Sequence, residues 1–139
     1  MLHHTKKLAM IILAISWLPS SVEADSHIHQ INIKFGEAFE RTMVHWRYDY
    51  NKLDGTKAGV ACVQWSRIDQ TFLEEGIFEA IGFSYSMAKE EAAIRTAHQG
   101  CEQMAGHYDV SGCTCQIILV DDDVRITIPD DITIESLID

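Results

Sequence analysis

The spacing of apolar and polar positions changes several times along the chain. In residues 27–35, Ile31, Ile33 and Phe35 alternate with polar neighbours, which predicts a half-buried strand or an extended arm. Residues 36–44 show no settled period and suggest one helical turn. HWRYDY, residues 45–50, sets Trp46, Tyr48 and Tyr50 against His45, Arg47 and Asp49, a strand pattern. Leu53-Asp54-Gly55 then starts a turn. Residues 58–68 form another predicted strand, with Val60, Cys62 and Gln64 on one face and Ala61, Val63 and Trp65 on the other. Residues 69–76 read as a short connector or helical turn, and 77–85 as a strand.

The period then lengthens. Ala93, Ile94, Ala97, Cys101 and Met104 fall on one face of a helix over about residues 87–105. Ser86 is placed to cap its start, Glu90 and Glu91 suit the positive end of its dipole, and Gly106 suits its stop. Gly100, inside the helix, implies close approach to a sheet, or a hinge. CTCQIILV, residues 113–120, reads as a strand, followed by Asp121-Asp122-Asp123. The segments VRITI and ITIESLID, parted by Pro129-Asp130-Asp131, read as two short strands or a strand and a tail. The expected class is therefore α+β: a mostly antiparallel sheet of about five strands with one main helix on a face.

The first 24 residues have the form of a signal peptide. Lys6 and Lys7 precede an apolar run over residues 8–18, and Val22-Glu23-Ala24 offers a cleavage site after Ala24. That run is well short of the ~20 residues that span a bilayer, so no membrane insertion is expected. Residues 25–139 then form a single domain, either periplasmic or extracellular. Removing Lys6, Lys7 and Glu23 from the 11 basic and 21 acidic residues leaves a net charge of −11 with histidine neutral. No basic footprint for nucleic acid is visible, whereas a basic protein partner or a cation is electrostatically suited.

Four cysteines in an exported chain predict two disulfides. Cys113–Cys115 would have to bend a short strand end. Cys101 on the inner helix face should reach the following strand, so Cys101–Cys115 is the preferred bond and Cys62–Cys113 the second.

The GFSYS segment, an alanine-spaced helix ending in Cys101, and Cys115 ahead of IILV together resemble a family of small exported bacterial domains of unknown function. The resemblance covers about residues 59–121 and implies a fold and export, with no activity attached.

Several constellations bear on chemistry. His98 and Cys101 lie three apart on the helix, but an exported, inward-facing cysteine is normally oxidised. His98 with Cys101, Cys113 and Cys115 offers zinc ligands in an uncommon spacing. Cleavage after Ala24 would leave Asp25-Ser26-His27 at the N-terminus, an amine, amide and imidazole set suited to Cu(II). The run 121–123 lacks a calcium-loop spacing, and no carboxylate pair stands out for hydrolysis. Trp46, Tyr48, Tyr50 and Trp65 are expected in the core; if exposed, they form a binding patch rimmed by carboxylates. Together these features suggest a small exported non-catalytic protein, without a resident cofactor, that docks a basic partner in the manner of an inhibitor or immunity protein. A copper- or zinc-binding protein and a carboxylate-dependent hydrolase are the alternatives.

Overall fold

A computed structural model describes residues 21–138 of the chain. The charged and apolar parts of the predicted leader, Lys6 to residue 18, lie outside the described residues. The predicted cleavage point after Ala24 falls inside the first helix, α1 (Ser21–His45). No helix among the described residues is long and apolar enough to cross a membrane.

The architecture is α+β, built on one antiparallel sheet of four strands. The strands are β1 (Thr56–Val63), β2 (Ile81–Met87), β3 (Thr114–Val120) and the short β4 (Asp123–Val124). Their order is β2-β1-β3-β4. β1 is therefore central and both its faces are covered, so all but its first residue are buried. Cys62 of β1 stands directly opposite Cys115 of β3, and Val60 opposite Gly82 of β2.

Helix α3 (Glu90–His107) joins β2 to β3 and packs over β2 and β1. Ala93, Ala97 and Cys101 are its buried positions, in one cluster with Ala58, Val60 and Cys62. Small residues bring the two layers together: a Cβ on Gly82 would run into the Ala97 carbonyl oxygen, and one on Gly100 would stand 3.4 Å from the Gly82 Cα. The Ser84 hydroxyl donates to the Ala93 carbonyl at 2.7 Å and so satisfies a polar group buried between strand and helix. The helix starts later than its sequence suggests. Ser86 is not its cap; it takes φ +53° in the strand, and Lys89 occupies the cap without a side-chain bond. Gly106 lies inside the last turn, and Tyr108 closes the helix.

The largest departure from the sequence reading is α1. Residues 27–35 are helix, not strand, and so are 36–44. Ile31, Phe35, Ala38, Phe39, Thr42 and Met43 are buried at offsets of 4, 7, 8, 11 and 12 from the first, a helical stripe. Ile33, which completed the apparent alternation, is 42% exposed. The stripe packs on the face of the sheet opposite α3, against Ala61, Val63, Ile81, Ile118 and Leu119. Among the described residues there are thus two long helices, one against each face of the sheet, rather than one.

The expected strand at 45–50 is also absent. Its residues close α1, turn through Arg47 at φ +68°, and enter a 3-10 turn at Tyr50–Lys52. Residues 65–67 form a second 3-10 turn beyond β1. α2 (Gln70–Glu75) begins at Asp69, whose carboxylate accepts from the Phe72 N–H at 2.8 Å. The Arg41 guanidinium covers the end of α2 by donating to the carbonyls of Gly76, Phe72 and Leu73. The final predicted strand is instead α4 (Glu135–Ile138), which buries Leu137.

Candidate functional site: an aromatic groove at the sheet edge

The two disulfides are Cys62–Cys113 and Cys101–Cys115, with Cα atoms 5.2 and 6.1 Å apart. Together they tie β1, the start of β3 and α3 into one block. The Sγ atoms of Cys62, Cys101 and Cys115 all lie within 4.8 Å of one another. His98 is not in this group; its ring faces outward, 3.4 Å from the Glu102 carboxylate. With every cysteine oxidised, the thiolates a zinc site needs are tied up in bonds. Two such bonds suit an oxidising, exported setting.

Asp25 and Ser26 are exposed and His27 half-buried in the first turns of α1, and among the described residues none of them belongs to a group of three potential metal ligands. The aspartates at 121–123 serve the turn. Asp121, at φ +50°, accepts from the Lys57 backbone N–H at 3.1 Å, and Asp122 lies 3.7 Å from the Lys57 ammonium.

The four aromatics separate into two pairs. Tyr50 is buried edge-on to Phe39, and its hydroxyl donates to the Asp121 carbonyl. Burial, reinforced by the nearby Asp121, Asp122 and Glu40 carboxylates, pushes its phenol far above the usual range. Trp65 leans on Phe35 and donates its indole N–H to Gln116 at 3.1 Å. Trp46 and Tyr48 instead stand 40% and 51% exposed.

Trp46 and Tyr48 are exposed because α1 ends at His45 and the chain reverses beyond the edge of the sheet. α3 ends at His107 in the same place, delivering Tyr108, 53% exposed, to within 6.0 Å of the Trp46 ring. His45 stacks edge-on to Trp46 at 5.4 Å, and His107 edge-on to Tyr108 at 4.7 Å, so four rings form a continuous row. Tyr48 packs on Phe83 of β2 at 4.8 Å.

Beside this row lies a groove of about 410 Å³. Trp46, Tyr48 and Tyr108 form one side, Gly100, Met104 and His107 of α3 the other, and Ile81 and Phe83 of edge strand β2 the floor. A second hollow of about 300 Å³ shares Trp46 and Tyr108 and reaches Glu79, so the ring pair stands as a ridge between the two. Sequence reasoning found Trp46 and Tyr48 but not Phe83, Met104, His107 or Tyr108. Tyr108 follows a helix end, and nothing in its local pattern links it to Trp46.

No family model, curated protein or solved structure matches this chain.

Proposed function

We propose that this protein is an exported, non-catalytic binding domain that docks a basic protein through the aromatic groove. The observation that carries this reading is the exposure of Trp46, Tyr48 and Tyr108 together where two long helices end. Exposed tyrosine and tryptophan clusters are characteristic of protein interfaces, since each contributes a large rigid contact area. Three features favour a cationic occupant. Aromatic faces attract guanidinium and ammonium groups. Each helix C-terminus carries roughly half a negative charge. The chain from Asp25 onward has a net charge of −11, nine basic residues against twenty acidic, which speeds encounter with a positive partner. The two disulfides hold the groove's α3 side against the sheet, so little ordering cost falls on binding. Neither the copper and zinc alternatives nor the hydrolase has a comparable observation behind it.

Affinity capture with the tagged chain starting at Asp25, beside a Trp46→Ala/Tyr108→Ala control, tests the proposal. The expected result is a basic protein retained by the wild type, released by salt and lost with the double variant. Equal recovery on both baits, or an acidic partner, would remove this groove from consideration.

A further inference from the structure

The floor of the groove is the open edge of a sheet, and that restricts what can fill it. Cys62 N–H donates to the Ala80 carbonyl, and β1 pairs with β2 at Val60↔Gly82 and Ala58↔Ser84. Backbone groups alternate sides along a strand, so those of Ala80, Gly82 and Ser84 face β1. Those of Ile81 and Phe83 consequently face outward, into the groove. The Ile81 N–H confirms this direction by donating to the Met104 sulfur at 3.4 Å across the gap. Sulfur is a weak acceptor and holds that donor lightly. Among the described residues, the Phe83 N–H has no partner on its outer side.

Proteins usually blunt such an edge with a proline, an inward-pointing charge or a covering segment. Here the edge from Ile81 to Tyr85 carries no proline and no charged residue; Met104 covers the Ile81 N–H, Tyr48 packs on Phe83, and Tyr85 is 52% exposed. At its far end Ser86 N–H donates to the Asp54 carbonyl, a bond on the β1 side that leaves the outer side unpaired among the described residues. A purely apolar ligand would leave the outward N–H and C=O groups unpaired. An extended peptide brings matching groups at the same spacing of roughly 3.3 Å per residue.

We infer that the groove takes an extended, arginine- or lysine-bearing segment of the partner as a fifth strand, antiparallel or parallel to β2. Alternate side chains of that segment face opposite walls. One set lies over Trp46 and Tyr108, where guanidinium or ammonium groups meet ring faces and the ends of α1 and α3. The other set meets the α3 wall formed by Gly100, Met104 and His107. This rests on the proposed docking function and specifies the form of its ligand.

The probe is a fluorescent octapeptide alternating arginine and valine, titrated against the oxidised chain starting at Asp25. Its controls are the glutamate–valine peptide and a fully N-methylated arginine–valine peptide, which keeps the charge but has no backbone donors. Expected are saturable binding of the arginine peptide and slowed hydrogen exchange at the Phe83 amide. Loss of backbone or charge pairing should weaken binding by at least about ten-fold for each control. If the N-methylated peptide binds equally and Phe83 stays unprotected, strand addition is wrong while aromatic docking of a cation survives. If both charges bind alike and Trp46→Ala/Tyr108→Ala changes nothing, the docking function itself is wrong. Absence of any binding, or a dimer by light scattering that protects Phe83 without peptide, overturns the inference, the latter by assigning the edge to a second copy.

Discussion

The Tyr50 hydroxyl donates to the Asp121 carbonyl oxygen at 2.8 Å and pins the β3–β4 turn to the segment that follows α1. From the other side, the Lys57 ammonium donates to the Tyr50 carbonyl at 2.9 Å and lies 4.5 Å from the centre of its ring. Burial holds this phenol in its protonated form to higher pH than in the unfolded chain. The folded state therefore keeps a proton that the unfolded state releases above about pH 10. Its contribution to stability is whole below that pH and falls as pH rises beyond it. Denaturation midpoints measured from pH 8 upward should drop more steeply for the wild type than for Tyr50→Phe. At neutral pH, Tyr50→Phe should cost about 1 kcal/mol, the usual net value of one hydrogen bond.

Gly82 and Gly100 face each other across the contact between β2 and α3, yet they should respond differently to alanine. At Gly82 the new methyl meets the Ala97 carbonyl, a backbone atom that cannot rotate away. Gly82→Ala should destabilise by about 1–3 kcal/mol or more, as overpacked sites do. At Gly100 the methyl reaches only 3.4 Å from the Gly82 Cα, and alanine favours the helix by roughly 1 kcal/mol. Gly100→Ala should leave urea stability within about 1 kcal/mol of wild type. A large loss there would show that the helix cannot shift even slightly.

The disulfides should contribute unequally. Cys101–Cys115 closes a separation of 14 residues and Cys62–Cys113 one of 51. Loop-closure entropy gives about 3 kcal/mol for the first and about 4 kcal/mol for the second. Unreduced protein should show no free thiol on titration, and peptide mapping should recover these two pairings. The Cys62→Ala/Cys113→Ala variant should unfold at lower urea than Cys101→Ala/Cys115→Ala.

Exposed and buried aromatics should also separate by stability. Trp46→Ala and Tyr108→Ala remove half-exposed rings, and each should cost about 1 kcal/mol or less. Phe39→Ala removes a fully buried ring that fills the space over Gly59, and should cost about 3–5 kcal/mol. Thermal melts of the three variants test this ranking. A loss at Trp46 comparable to that at Phe39 would make it a core residue and not part of a binding surface.

Much of the region from β1 to β3 was legible because its cues are local and redundant. Val60 and Cys62 do face one side of the sheet and Ala61 and Val63 the other, as a period of two requires. Ala93, Ala97 and Cys101 lie on one helical face, as a period near four requires. The cysteine pairs follow from that geometry. The first helix was misread because Ile31 and Phe35 satisfy both periods, and Ile33 happens to lie between them. Only Ala38, Phe39 and Met43, further along, decide for the helix. HWRYDY alternates for a different reason: it contains a helix end, a left-handed residue and a 3-10 turn, which place its aromatics without regard to strand period.

By itself, then, the chain determined its charge balance, its two-disulfide framework, and the central strand and helix that the framework joins. These depend on residue type and short-range spacing, which a sequence states outright. The sheet order, the second helical layer and the groove were decided only in three dimensions. Trp46 and Tyr108 each follow a separate helix, and their rings meet because both helices pack on the same sheet and stop near the same edge. Whether an aromatic residue ends up in the core or in solvent depends on where its neighbours' backbone turns, and here that is set by contacts between residues far apart in the chain.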